Sequence, residues 1–250
     1  MPYVFDHNSQ AYNAYLCGMS YGRNHGAYHY SCEIVKNIIP NVKTNRSWVT
    51  VNCGLCENGA IVFIHNNKEV EKLYSWLKDY DDLICVCSVK ETCKEIERLG
   101  IGKAIYLPLS VDVAEIEKYK KPIKCKDACY VGNLWPWKMP DIVRMVPRGT
   151  RFLTEMPRDE LLTHLSMYKV AYAIGRCAIE AKILGCEVRS CDSRYPDPDM
   201  WKVLDNKKAA KMLQKELDKI DGKDGKQWAR HKLIIDTRNP RYIAKRDALK

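Results

Sequence analysis

The residue types and spacing best suited to chemistry lie in residues 168–188, YKVAYAIGRCAIEAKILGCEV. The short apolar run 170–174 reads as a strand buried on both faces. Gly175 permits a sharp turn or a close backbone approach. Residues 177–184 hold good helix formers and no proline, and Gly185 stands where a helix ends in a left-handed residue. A helix starting just after Gly175 turns its free N–H groups and positive dipole end toward the strand's carboxyl edge. That geometry binds phosphate, and Arg176 adds a bidentate donor. Cys177 lies in the same first turn. Glu180 lies four residues beyond Arg176, on the same face and one turn in, where a carboxylate can accept hydrogen bonds from a ribose. The plainer alternative is an ordinary βαβ unit with a surface Arg–Glu pair.

A reaction at such a site also needs a base. Residues 1–30 are rich in Tyr, Asn, His and Gly, and GMSYGRNHG at 18–26 reads as a polar loop leading into a helix. Such a loop lines a ligand cleft or packs as an irregular surface arm. Asp6, His25 and His65 are the candidate bases, with His29 nearby, although a lone histidine is more often structural. Cys53 and Cys56 form the single CxxC, in VNCGLCENG. Structural zinc takes four ligands. The second pair would come from Cys85 and Cys87, or from Cys125 and Cys129, at irregular spacing, so no metal is expected. The twelve cysteines are therefore read as reduced thiols, several of them acting as small hydrophobes.

The 250 residues suit one large domain or two small ones, and 46% hydrophobic with 29% charged residues is ordinary for a globular protein. No apolar run is long enough to span a bilayer and no charged-then-apolar leader opens the chain, so a cytoplasmic location is expected. The net charge of +10 favours a polyanionic or phosphorylated partner, or is simply a solvated basic surface.

The elements that must position the candidate residues alternate. A strand at 3–5 precedes a helix at 32–39, capped by Ser31 and stopped by Pro40. Strands at 48–51, 60–64, 83–87 and 104–107 alternate with helices at 68–77 and 90–99, the latter capped by Gly100. This order predicts a parallel sheet with helices on both faces. The charged stretch 114–127, broken by Pro122, is placed as an interdomain linker. A second α/β unit follows, with a strand at 128–131, Gly132-Asn133 at its carboxyl end, the loop LWPWKMP with Trp135, Trp137 and Lys138, and a helix at 141–146. A strand at 150–153 and a helix within 157–168 lead into the opening stretch. Beyond a loop at 192–198, helices are read at 207–220, 227–235 and 240–249.

The ordered motifs resemble GT-B glycosyltransferases. Ser88, Leu99-Gly100-Ile101 and the Pro108…Val111-Asp112 loop are similar to the end of that family's N-terminal lobe. YVGNLWPWK is similar to the opening of its second lobe, and GRCAIEAKILGCEV to its nucleotide-sugar motif. The match covers residues 83–190. It implies two Rossmann-like lobes: an acceptor-side lobe at 1–118, a nucleotide-sugar lobe at 124–226, and C-terminal helices at 227–250 packing back on the first. By position in that pattern, Gly132, Lys138, Gly175, Arg176 and Cys177 would contact the diphosphate and Glu180 would hold the ribose. Retaining members carry a second Glu eight residues earlier; here that residue is Tyr172, which leaves the stereochemical outcome open.

The resemblance implies metal-independent transfer of a sugar from a nucleotide-diphosphate sugar to an acceptor hydroxyl, with no tightly bound cofactor. Small basic members of this fold include bacteriophage enzymes that glycosylate modified DNA bases, and the net charge would suit double-stranded DNA as acceptor. A soluble sugar, a lipid-linked or a protein acceptor stays open. The rival readings are a catalytically silent nucleotide- or nucleic-acid-binding protein and a nucleotide-sugar epimerase.

Overall fold

A computed structural model describes residues 3–5, 34–44, 46–49, 56–64, 67, 69–134, 136–221 and 233–235. In chain order the described strands are β1 (Tyr3–Phe5), β2 (Trp48–Val49), β3 (Ile61–Ile64), β4 (Ile84–Cys87), β5 (Lys103–Tyr106), β6 (Lys126–Val131), β7 (Arg151–Leu153), β8 (Tyr168–Tyr172), β9 (Glu187–Arg189) and β10 (Leu233–Ile235). The described α-helices are α1 (Val70–Tyr74), α2 (Lys90–Arg98), α3 (Val113–Glu117), α4 (Met139–Met145), α5 (Arg158–Leu165), α6 (Gly175–Ile183) and α7 (Asn206–Asp221). The chain is α/β and divides into two compact units. The described residues as far as Pro108, with those from Lys207 onward, form the first; those of Leu109–Asn206 form the second.

The first unit is built on a six-stranded sheet in the order β1-β10-β2-β3-β4-β5. β10 through β5 pair in parallel, and only β1 runs antiparallel, on β10. All four side chains of β3 and all four of β4 are buried, as runs covered on both faces require. Trp48 stacks on Phe63 with ring centroids 5.9 Å apart. The core of Val62, Ile64, Leu77, Cys85, Cys87 and Ile96 also takes in the apolar stripe of α1 and its extension, Val70, Leu73, Trp76 and Leu77. The helix expected at 68–77 tightens after Tyr74 into a 3₁₀ turn, Ser75–Asp79, where the Trp76 indole N–H donates to the Leu73 carbonyl at 2.9 Å. The helix expected at 32–39 is a π-helical turn, Ile34–Ile38, running into the 3₁₀ turn Ile39–Asn41 that holds Pro40.

In the second unit, four parallel strands take the order β7-β6-β8-β9. Leu162 and Leu165 of α5 and Ala178, Ile179, Ala181 and Ile183 of α6 are buried. α6 closes in a Schellman motif: Gly185 has φ +82, its N–H donates to Lys182, and the Cys186 N–H donates to Ala181.

Two expectations fail here, each for a physical reason. The stretch 114–127, read as a linker, opens with α3. Asp112 Oδ1 caps that helix by accepting from the Glu115 N–H at 3.0 Å, and Ile116 is fully buried. Lys124 then donates its Nζ to the carbonyls of Ser166 and Leu184 at 2.7 and 2.5 Å. These are the C-cap residues of α5 and α6, where a cation complements both dipoles. The charge of this stretch is thus partly structural, and the boundary between the units falls after Pro108. The second failure is at the C-terminus. Residues 233–235, expected in a helix, form β10 between β1 and β2, because Leu-Ile-Ile fills a vacant sheet position well. The helix expected at 240–249 lies outside the described residues.

Candidate functional site

The strand order of the second unit places a topological switch beside α6. From β6 the chain moves to β7 on one side, then returns to β8 on the other. Parallel sheets bind ligands outside the carboxyl ends of strands that part in this way. β6 ends at Val131 and leads through Gly132 and Asn133 to a 3₁₀ turn, Pro136–Lys138. β8 ends at Tyr172 and leads through Ala173 and Ile174 into α6. Gly132, Lys138, Gly175 and Arg176 therefore belong to the two segments that leave this one sheet edge.

No side chain at the cap position closes the start of α6. Its cap position is Ile174, extended at φ −133 and ψ 162, whose hydrocarbon side chain accepts nothing from the first turn. Gly175 has φ +62, a left-handed conformation that favours glycine. A Cβ there would meet Leu109 Cδ1 at 3.8 Å, so the requirement for glycine comes from the backbone rather than from crowding. The first turn holds no acidic residue, and its N–H groups and dipole favour an anion.

Three cations and one carboxylate surround this turn. Arg176 Nε donates to Glu180 Oε1 at 2.8 Å, and Arg158 Nη1 donates to the same oxygen at 2.6 Å. Glu180 is 1% exposed. Burial pushes its carboxyl up, but Arg158 and Arg176 outweigh that and hold it below the ordinary carboxylate range. Burial, with Glu180 beside it, pushes the Cys177 thiol up to about 11, against the opposing pull of Lys138, Arg176 and Arg158. Cys177 is therefore a neutral thiol at physiological pH. The same balance shows that Lys138 acts electrostatically on the helix start.

Gly132, Lys138, Gly175, Arg176, Cys177 and Glu180 thus gather in one unit at one sheet edge. Asp6, His25 and His65 lie outside the described residues, as does Cys53. The Arg176–Glu180 pair forms at the expected spacing, but it is buried and carries a second arginine. Arg176 turns its Nε to Glu180 rather than outward. Arg158 was not legible as a site residue. Its signal was a cation at the first position of a helix, opposite to what the dipole favours. Tyr172, 6% exposed, belongs to the core with Tyr130 and Ile142.

Beyond β9 a second polar cluster forms. Arg194 holds Asp192 through Nε and Nη2 at 2.9 and 2.5 Å, and Asp141 accepts from the Ser193 N–H and hydroxyl at 2.9 and 2.8 Å. Every carboxylate in it is engaged by a neighbour. No group of three or more His, Cys, Asp or Glu side chains converges to hold a metal ion among the described residues. No helix among them is long and apolar enough to cross a membrane. The chain matches no protein-family model and no curated protein.

Proposed function

We propose that the second unit binds the diphosphate of a nucleotide-diphosphate sugar and that the chain is a GT-B-like glycosyltransferase, with the second unit as donor lobe and the first as acceptor lobe. The reading rests on one observation: an acid-free helix start with no side-chain cap from Ile174, at a topological switch point, with Lys138, Arg158 and Arg176 acting on Cys177 of its first turn. An acceptor oxygen attacks the anomeric carbon, the bond from that carbon to the diphosphate oxygen breaks, and the diphosphate leaves with the electron pair. Lys138 and the α6 N–H groups stabilise the charge that develops on it. The acceptor proton passes to a base, for which Asp6, His25 and His65 are the candidates. The acceptor is a hydroxyl, and a modified base in double-stranded DNA is one that the net charge of +10 suits.

A second reading, a nucleotide-binding protein without transfer activity, is favoured by Glu180. Its Oε1 already accepts from two guanidinium groups, which leaves it less suited to a ribose. Calorimetric titration with nucleoside diphosphates and a panel of nucleotide sugars separates the readings. Tight binding, weakened roughly tenfold or more in Lys138→Ala and Arg176→Ala, supports the site. Sugar release or transfer in the same mixtures supports the enzyme; binding without turnover supports the silent protein. Unchanged affinity in both variants removes the site.

A further inference from the structure

The charge distribution of α7 is one that helix stability does not explain. The helix spans sixteen residues, NKKAAKMLQKELDKID, and its first turn holds no acid. It holds Lys207 and Lys208 instead, at the end where the dipole disfavours cations. Lys211 and Lys215 follow Lys208 at spacings of three and four residues, so the three share one face over roughly 10 Å of helix. All three are exposed, and none makes an ion pair with a described residue. The acids of α7 fall in its second half, and each has a partner: Glu216 pairs with Lys219, Asp218 accepts from Gln214, and Asp221 pairs with Arg46. The opposite face, Ala209, Ala210, Leu213 and Leu217, is buried. Gln214 exchanges hydrogen bonds with the backbone of Lys43 at 2.6 and 3.0 Å, which ties α7 to the segment before β2.

We propose that this face of α7 binds the phosphate backbone of duplex nucleic acid. Its chemistry is that of a row of point cations without sequence readers, which neutralises phosphates and releases counterions. A single-stranded ligand would call for stacking aromatics, and the face carries none. A lipid surface would call for an apolar side to insert; here that side is buried and Met212 is the one large exposed apolar residue on the helix. The inference does not depend on the donor site, since the α7 lysines belong to the first unit and α6 to the second.

The test is fluorescence anisotropy of the full chain with a labelled DNA duplex across 50–200 mM salt. Charge reversal at Lys208, Lys211 and Lys215 should lower affinity at least tenfold and reduce the slope of log K against log salt by about 3. A control reversing Lys78, Lys94 and Lys103, exposed elsewhere in the same unit, makes the same change in net charge and should leave most of the affinity. Equal losses in both triples, or none in the α7 triple, overturn the proposal. Binding to phosphatidylserine vesicles without duplex binding overturns it in favour of a lipid surface. A milder Lys→Gln triple, checked by circular dichroism, separates lost binding from lost folding and should cut the slope by the same amount.

Discussion

Glu180 is a carboxylate held almost out of water by two guanidinium groups, and its behaviour follows from that. Burial of a carboxylate is costly unless it is paired, and breaking a buried pair costs more than the pair contributes. Glu180→Gln leaves Arg158 and Arg176 facing a neutral amide. The expected loss is about 3 kcal/mol or more of folding stability, read from the urea midpoint of the unit at pH 7. The sign with pH is fixed by the depressed folded pKa. The contribution of Glu180 is complete above its unfolded value, near 4.3. It fades as pH falls through the lower folded value, because the unfolded state then binds the proton more readily. The Glu180→Gln variant should therefore lose less stability than the parent between pH 5 and pH 3, an interval set by the unfolded carboxylate pKa. Parallel titration curves would show that Glu180 is not the linked group.

At the scale of elements, a single lysine serves two helices. Lys124 donates to carbonyls at the C-caps of both α5 and α6, so its removal leaves two helix ends unsatisfied at once. Lys124→Met keeps the hydrocarbon stem and removes only the donor. It should cost about 2 kcal/mol, at 1 kcal/mol or so for each lost hydrogen bond. Hydrogen exchange should show the loss at the last turns of α5 and α6 first, with α2 in the other unit unchanged. Uniform protection loss across both units would contradict this local role. The α6 start is a different kind of element end. Its neighbour Ile174 cannot cap it, and Gly175 is held at positive φ. Its opposite end, by contrast, is closed by the Schellman bonds of Gly185 and Cys186 and by Lys124.

At the scale of the whole molecule, the first unit depends on a strand that arrives last. β10 lies between β1 and β2 in the six-stranded sheet, more than a hundred residues in sequence from either. α7 also returns to this unit, through Asp221 on Arg46 and Gln214 on the Lys43 backbone. A chain truncated after Asp221 loses the only described partner of β1 and exposes the edge of β2. The first unit should lose cooperative unfolding and gain a tendency to aggregate, while amide protection in β6 and β8 persists. A truncated chain that keeps a cooperative transition for α2 and β4 would mean that the sheet closes without β10.

Apart from α3, the strands and helices from residue 83 to residue 189 could be read from composition, give or take two residues at their ends, because each is a short, locally consistent run: LICVC at 83–87 and VAYAI at 170–174 for parallel strands, Gly100 and Gly185 for helix ends. The spacing of Arg176 and Glu180 likewise foretold their pairing, since four residues make one helical turn. Local pattern could not show what long-range contact decides. Arg158 reaches Glu180 from 22 residues away, Lys124 spans two helices, and Leu233–Ile235 becomes a strand because a sheet position between β1 and β2 is there to be filled. Whether the Arg–Glu pair is exposed or buried was also a tertiary matter, since it depends on how α5 packs beside α6. The sequence by itself determined the alternation of elements, through hydrophobic period and glycine placement. The tertiary structure alone decided the order β7-β6-β8-β9, because strand neighbours are chosen by burial across the whole sheet, and that order brings the glycine turn and the lysine loop to one edge.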